Sequence, residues 1–527
     1  MNNTSIQIES PSLKQLFFSK TYFYLYALTV ICYLPFIFSF IWGNHDWGWI
    51  KEYTPLFSGV FEGRFSQFII PIILFEGNIL PVFTILSALA FYSATAIIFI
   101  NLFNVDISSK TTILIGLLLT TAPYTISWLY FKFILLSCLF WTFFIVLAFY
   151  LIKKYPNTKN FYIAPTILFT LSLGGYPPVI NMIGVIFFAL LINDFCFNKY
   201  TPKDLIKKYI PYFTTVTVSV IVVLLIQYFL KKHNLQYDTY NTAQINLHTL
   251  ISKVLICIKS SFTQFIKTNS FINTTYKSLN LTIFVIAIFL LFKQTKHYLT
   301  FILLIGLLCA STISLLVAEN SIYILDQPRI EFFGIIYIYI FSLIIISKSS
   351  SQACKNLCYI LSLCIILHNI NTISYANKVW QNGFNAENKL IERIISRIEN
   401  NSQFNSNTQY TFAQGGNINF RSKYYISTLS EIADSYTLTA PYIPWHLPSK
   451  AYSFYQPINF FKTDFDTFWS FVNKNEINTT PELLEYLSLS SEVWPKQKSI
   501  YIDKQTIILT LTPEGKNLAA NWANTHF

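Results

Sequence analysis

Residues 133–152 read FILLSCLFWTFFIVLAFYLI, twenty positions without a charge, preceded by Lys132 and followed by Lys153-Lys154. As a helix rising about 1.5 Å per residue, this run covers about 30 Å, the thickness of a bilayer's hydrocarbon core. Runs of comparable character recur at 21–42, 79–103, 111–130, 161–176, 178–197, 210–230, 279–292, 298–317, 331–347 and 356–374. Eleven spans are expected, forming a mainly α, polytopic transmembrane helical bundle. The composition agrees: 53% of residues are hydrophobic, 18% aromatic and only 12% charged, against roughly 25% charged in a soluble domain.

Positive charge orients the bundle, because short cytoplasmic loops retain lysine and arginine. Lys14 and Lys20 place the N-terminus inside. Lys110, the group Lys153, Lys154 and Lys159, the group Lys199, Lys203, Lys207 and Lys208, and then Lys293, Lys296, Lys348 and Lys355 fall on the same side by alternation. The segments near 43–78, 231–278 and 318–330, and everything after 375, then face outward. For a bacterial inner membrane this makes the C-terminal part periplasmic. The first run is long and lacks a small-x-small cleavage pattern after Phe40-Ile41-Trp42, so it reads as a retained anchor. Topology accounts for most of the net charge of +12, which gives no case for a nucleic-acid partner; membrane lipid is the implied one.

The expected domains are 1–374, the membrane part, and 375–527, a soluble external domain of ordinary size. In the latter, Leu390, Ile391, Ile394, Ile395 and Ile398 recur at helical spacing. Ser499-Ile500-Tyr501-Ile502 and Thr506-Ile507-Ile508-Leu509-Thr510-Leu511 read as strands turning at Asp503-Lys504, so a small α/β fold is expected. None of the eight cysteines lies there, and no disulfide is expected in it. Cys354 and Cys358 lack the companions of a zinc site. Between spans, Leu247, Leu250, Ile251, Val254, Ile258, Phe262 and Phe265 share one helical face opposite Lys253, Lys259 and Lys267. That pattern predicts an amphipathic helix lying in the membrane interface, with Lys231, Lys232 and Lys277 adding to a basic external segment.

The residues with chemical potential gather at the outward-facing ends. Gly43-Asn44-His45-Asp46-Trp47-Gly48-Trp49 leads to Glu62-Gly63-Arg64. Transfer of a sugar from a lipid phosphate needs a carboxylate to take the acceptor's proton and cations to neutralise the departing phosphate, with a metal such as Mg²⁺ optional and none assigned. Asp46 is the chosen base, with Glu52 and Glu62 as substitutes; the plainer alternative is a solvated acid ending a helix. Arg64 and Arg329 are scarce arginines in a lysine-rich chain, suited to fork a phosphate, or equally to anchor a helix end or pair with Glu62 or Glu331. Lys132 sits where a charge is costly, either snorkelling outward or joining the phosphate cations. His45, Trp47 and Tyr176 of Gly174-Gly175-Tyr176-Pro177-Pro178, and Trp445 of Pro441-Tyr442-Ile443-Pro444-Trp445, offer rings for a sugar face.

Taken together, Asp46, Gly63-Arg64, Ala122-Pro123-Tyr124, Leu173-Gly174-Gly175-Tyr176-Pro177 and the external C-terminal domain resemble the GtrII-type glucosyltransferases that modify bacterial O-antigen. The resemblance implies a GT-C-like architecture, a polyprenyl-phosphate-glucose donor, a lipid-linked or surface glycan acceptor on the periplasmic face, and inversion at the anomeric carbon. It makes Asp46 the catalytic acid and puts Arg64 near the donor phosphate. The chain departs from the family in having His45-Asp46 where two adjacent acids are common. Alternatives from other classes are a lipid-linked glycan flippase or transporter, a glycan polymerase or ligase, and a membrane receptor. The near absence of central ionisable residues from the spans argues against transport.

Overall fold

A computed structural model describes residues 11–39, 59–60, 63–78, 80–106, 110–129, 132–155, 162–235, 247–268, 272–295, 298–316, 331–408, 410–415, 480–503, 506–511 and 513–526. The chain divides between Ala376 and Asn377 into two compact units. The first is helical: α1 (Lys20–Phe38), α2 (Pro81–Leu102), α3 (Lys110–Thr120), α4 (Ile126–Leu129), α5 (Lys132–Lys154), α6 (Ile163–Gly175), α7 (Ile180–Cys196), α8 (Pro202–Lys232), α9 (Leu247–Thr263), α10 (Thr274–Gln294), α11 (Tyr298–Ala310) and α12 (Ile335–Ser347). Helix α13 (Gln352–Glu399) leads from the first unit into the second.

Each of the eleven apolar runs coincides with a helix or, at 111–130, with a broken pair. Among the described residues, seven helices are long and apolar enough to cross a membrane, an eighth candidate is the pair formed by α3 with Pro123–Leu129, and α6, α11 and α12 are shorter apolar helices. Helix α12 sits at the centre, with every side chain from Ile335 to Ile346 buried. Helix α8 lies at the periphery, its Phe213, Leu224, Leu225, Tyr228 and Phe229 exposed, as apolar side chains of a lipid-facing helix are.

The break between α3 and α4 has an identifiable cause. Pro123 has no N–H, so the Leu119 carbonyl loses its usual α-helical donor, and the pair bends by 41°. The Tyr92 hydroxyl donates to Leu119 O at 3.0 Å, and the Tyr33 hydroxyl donates to Thr120 O at 2.8 Å. Both tyrosines are fully buried. In an apolar bundle these bonds matter because no water is at hand to replace them.

Helix α9 is amphipathic as expected, and Lys259 is exposed, but much of its polar side is covered by protein. Ile251, Leu255 and Phe262 are exposed, whereas Lys253, Cys257, Ser260, Ser261 and Gln264 are buried. Ser261 Oγ lies 2.9 Å from Thr312 Oγ1, Cys257 Sγ lies 3.2 Å from the same hydroxyl, and Gln264 Nε2 donates to Ser311 Oγ at 2.5 Å. The helix turns Ser260, Ser261 and Gln264 toward neighbouring protein and Ile251, Leu255 and Phe262 outward, beside the exposed Ser252 and Lys259. In lipid this is the favourable arrangement, since unpaired polar groups are costly there.

The second unit is a small α/β assembly. Strand β1 (Thr411–Gly415) runs parallel to β3 (Thr506–Thr510), and β2 (Ile500–Ile502) pairs antiparallel with β3, giving the order β1-β3-β2. Asp503 makes the hairpin turn: its N–H donates to Thr506 O at 3.0 Å and its Oδ1 accepts from Thr506 N at 2.8 Å. Leu483, Leu484 and Leu487 pack with Ile508 against Ala519, Trp522 and Ala523 of the terminal helix α14 (Pro513–His526). Burial, with Glu492 and Tyr501 adding to it, pushes the Tyr486 phenol up. Its hydroxyl therefore stays protonated and donates to Lys498 O at 2.5 Å.

Candidate functional site

The segment after Gly59 is a tight turn. Arg64 N donates to Gly59 O at 2.7 Å and Gly63 N to Val60 O at 2.9 Å. Gly63 has φ +72°, a conformation that L side chains avoid. Gly59 has no room for a side chain either, because a Cβ there would lie 2.8 Å from Arg64 O. The glycine of the Gly63-Arg64 pair is thus a backbone requirement for presenting the arginine. Gln227 of α8 donates from Nε2 to Gly63 O at 3.2 Å and holds the turn from the other side.

The turn rests on the end of α6. Ser66 Oγ donates to Leu171 O at 2.5 Å and Ser66 N to Gly174 O at 3.4 Å. A Cβ on Gly174 would lie 2.2 Å from Phe65 Cζ, and one on Gly175 would lie 2.2 Å from Trp141 Nε1. The two glycines exist so that one ring can press on each. The next residue, Tyr176, is buried, and the guanidinium carbon of Arg64 lies 5.3 Å from its ring centroid, within cation–π range. Trp128 meets Tyr176 edge-on at 5.2 Å, and Phe333 lies 5.5 Å from Tyr176 and 5.7 Å from Trp128. Arg64 therefore lies on an aromatic wall contributed by α4, the end of α6 and the segment entering α12.

Next to this wall is a buried ion pair. Lys277 Nζ lies 3.1 Å from Glu331 Oε2, with both side chains almost wholly buried. The same ammonium donates to the Tyr124 hydroxyl at 2.7 Å and to the Gln264 carbonyl. Glu331 immediately precedes Phe332 and Phe333, and Tyr124 stands one helical turn before Trp128, so the pair and the wall are contiguous. This corrects one sequence expectation: Lys277 belongs to the interior rather than to a basic external segment. The legible signal was Asn273, whose Oδ1 caps the helix by accepting from Tyr276 N at 3.0 Å. That cap starts α10 at Thr274 and brings Lys277 into its first turn.

Of the candidate residues, the structure brings Arg64 and Tyr176 together. Lys132 is 1% exposed, and its ammonium lies 3.4 Å from Leu129 O. It does not snorkel outward, because a helix-end carbonyl inside the protein gives it an acceptor. His45, Asp46, Trp47, Glu52, Glu62, Arg329 and Trp445 lie outside the described residues.

No curated protein and no solved structure matches the chain. Residues 53–347 match the family described as Glucosyl transferase GtrII. The matched stretch takes in the Gly63-Arg64 turn, the Pro123 break, the glycine pair ahead of Tyr176, and both members of the Lys277–Glu331 pair, and it is more than half of the 527 residues. By that coverage, the chain belongs to the GtrII glucosyl transferase family.

Proposed function

We propose that the protein is an inner-membrane glucosyltransferase that takes a hexose, glucose by its family, from a polyprenyl-phosphate-linked donor and adds it to O-antigen or another surface glycan on the periplasmic face. The observation that carries this reading is Arg64, presented by a glycine-dependent turn over the Tyr176 ring. A guanidinium offers a planar fork of N–H donors to a phosphate, and the aromatic wall beside it excludes water, which strengthens that attraction.

In the proposed reaction the acceptor hydroxyl attacks the anomeric carbon while the bond to the lipid phosphate breaks, with inversion. The hydroxyl proton passes to a carboxylate, Asp46 first, with Glu52 and Glu62 as substitutes. The departing phosphate carries its charge to Arg64, aided by Arg329 and Lys132, while His45, Trp47, Tyr176 and Trp445 offer faces and edges to sugar. The external C-terminal domain of 375–527 completes the architecture. A carrier would need an ionisable group that loads and releases a proton or ion; all three N–H donors of Lys277 already have acceptors.

The test is the mass of the surface glycan repeat in cells carrying the wild type, Asp46→Asn or Arg64→Lys at equal membrane levels. A hexose increment in the wild type and its loss in both variants is the expected result. No increment in the wild type, with donor and acceptor confirmed present, rejects the transferase.

A further inference from the structure

We infer that the buried Lys277–Glu331 pair, with Tyr124, is a positioning device for the Arg64–Tyr176 site, an inference that rests on the transferase reading. An ion pair removed from water inside an apolar bundle is expensive unless its partners are complete, and this one is complete on the lysine side. The ammonium's three donors go to Glu331 Oε2, the Tyr124 hydroxyl and the Gln264 carbonyl. With no donor left for a ligand, Lys277 does not act as a phosphate hook. Its effect reaches the site through the chain it holds.

Two routes lead from the pair to the wall. Through Glu331, the chain continues into Phe332 and Phe333, whose rings lie 5.9 and 5.7 Å from Trp128. Gly334 N donates back to Glu331 O at 3.0 Å, and a Cβ at Gly334 would lie 2.3 Å from Ser311 O. Ser311 Oγ in turn accepts from Gln264 Nε2, and the Gln264 carbonyl accepts from Lys277, so the contacts close into a ring. Through Tyr124, the short stretch after the Pro123 break leads to Trp128 and so to Tyr176. Four segments, from α9, α10, the α3–α4 break and the entry to α12, are tied at one ammonium. The indole N–H of Trp128 is buried and has no hydrogen-bond partner among the described residues, so the placement of that ring depends on packing against the neighbours so fixed.

The experiment uses the full-length chain in membrane vesicles that contain the acceptor glycan, with radiolabelled polyprenyl-phosphate-glucose as donor, and compares the wild type with Lys277→Arg, Tyr124→Phe and the charge-free double variant Lys277→Met/Glu331→Gln. Rates are taken per folded protein, and thermal unfolding in detergent is measured in parallel. A positioning role predicts kcat reduced about tenfold or more in the double variant, with the donor KM within about threefold of wild type, because misplacement of a site weakens orientation more than attraction. Lys277→Arg is expected to recover most of kcat, and Tyr124→Phe to lower kcat in protein that still folds, with a modest fall in unfolding temperature because one buried N–H of Lys277 loses its acceptor. Wild-type kcat in a folded double variant overturns the inference. Should that variant not fold, unchanged kcat in Tyr124→Phe overturns it instead. Absence of transfer by the wild type rejects the transferase reading itself, a separate outcome.

Discussion

The ring of Phe65 occupies the space where a side chain on Gly174 would stand, with its Cζ 2.2 Å from the position of the missing Cβ. That contact seats the turn bearing Arg64 on the end of α6, and it explains physically why a glycine pair precedes Tyr176.

Gly174→Ala should therefore force Phe65 off its seat. Overpacking of this kind costs about 1–3 kcal/mol, and the half-buried ring has some freedom to swing, which favours the lower end. A fall in unfolding temperature together with reduced transfer is expected, with both partly restored by adding Phe65→Leu. Restoration by the smaller side chain is the decisive measurement.

Removing one member of the buried pair should be worse than removing both. Lys277→Met removes the ammonium that lies 3.1 Å from the buried Glu331 carboxylate, and breaking a buried pair from one side costs about 3–5 kcal/mol. Adding Glu331→Gln removes the second charge and should recover part of that loss. A double-mutant cycle on unfolding in detergent reads the coupling; simple additivity of the two substitutions would refute the pairing.

At the α3–α4 break, Tyr92→Phe deletes the hydroxyl that donates to Leu119 O. The expected cost is about 1 kcal/mol, the ordinary net worth of one hydrogen bond. The same deletion in a Pro123→Ala background should cost less, since an N–H at 123 adds the α-helical donor to that carbonyl beside the Ala122 N–H, which donates to it at 3.3 Å. Equal losses in the two backgrounds would show that the tyrosine does not serve the break.

The orientation of helix α9 is open to spectroscopic test. A spin label at Leu255, 62% exposed, should collide with oxygen dissolved in lipid in preference to a water-soluble nickel chelate. A label replacing Ser261, which is buried, should meet neither readily. Strong nickel relaxation at 255 would place that side in water and contradict the arrangement.

Much of the architecture was legible because a membrane-spanning helix is a local property. Twenty consecutive apolar residues satisfy both the length and the solvent of a bilayer without reference to any partner, and each of the eleven runs proved helical. The hairpin after Ser499 was equally readable, from β-branched runs either side of an aspartate that makes its own turn. Resemblance pointed to Gly63-Arg64 and Gly174-Gly175-Tyr176 without saying why those glycines are there; Gly63 is required by its positive φ, and Gly174 and Gly175 by Phe65 and Trp141, contacts made across helices.

The sequence by itself thus determined a mainly helical membrane bundle with a small α/β C-terminal part, since periodicity and apolar run length act residue by residue. Only the tertiary structure decided where its buried charge and polar side chains belong. Lys277 and Glu331 stand 54 positions apart, and the sequence around each is that of an ordinary helix end. The polar stripe of α9 is written identically whether it faces water or protein. A charge or hydroxyl is satisfied by whatever the fold places against it, and that partner is a property of long-range packing rather than of neighbouring residues.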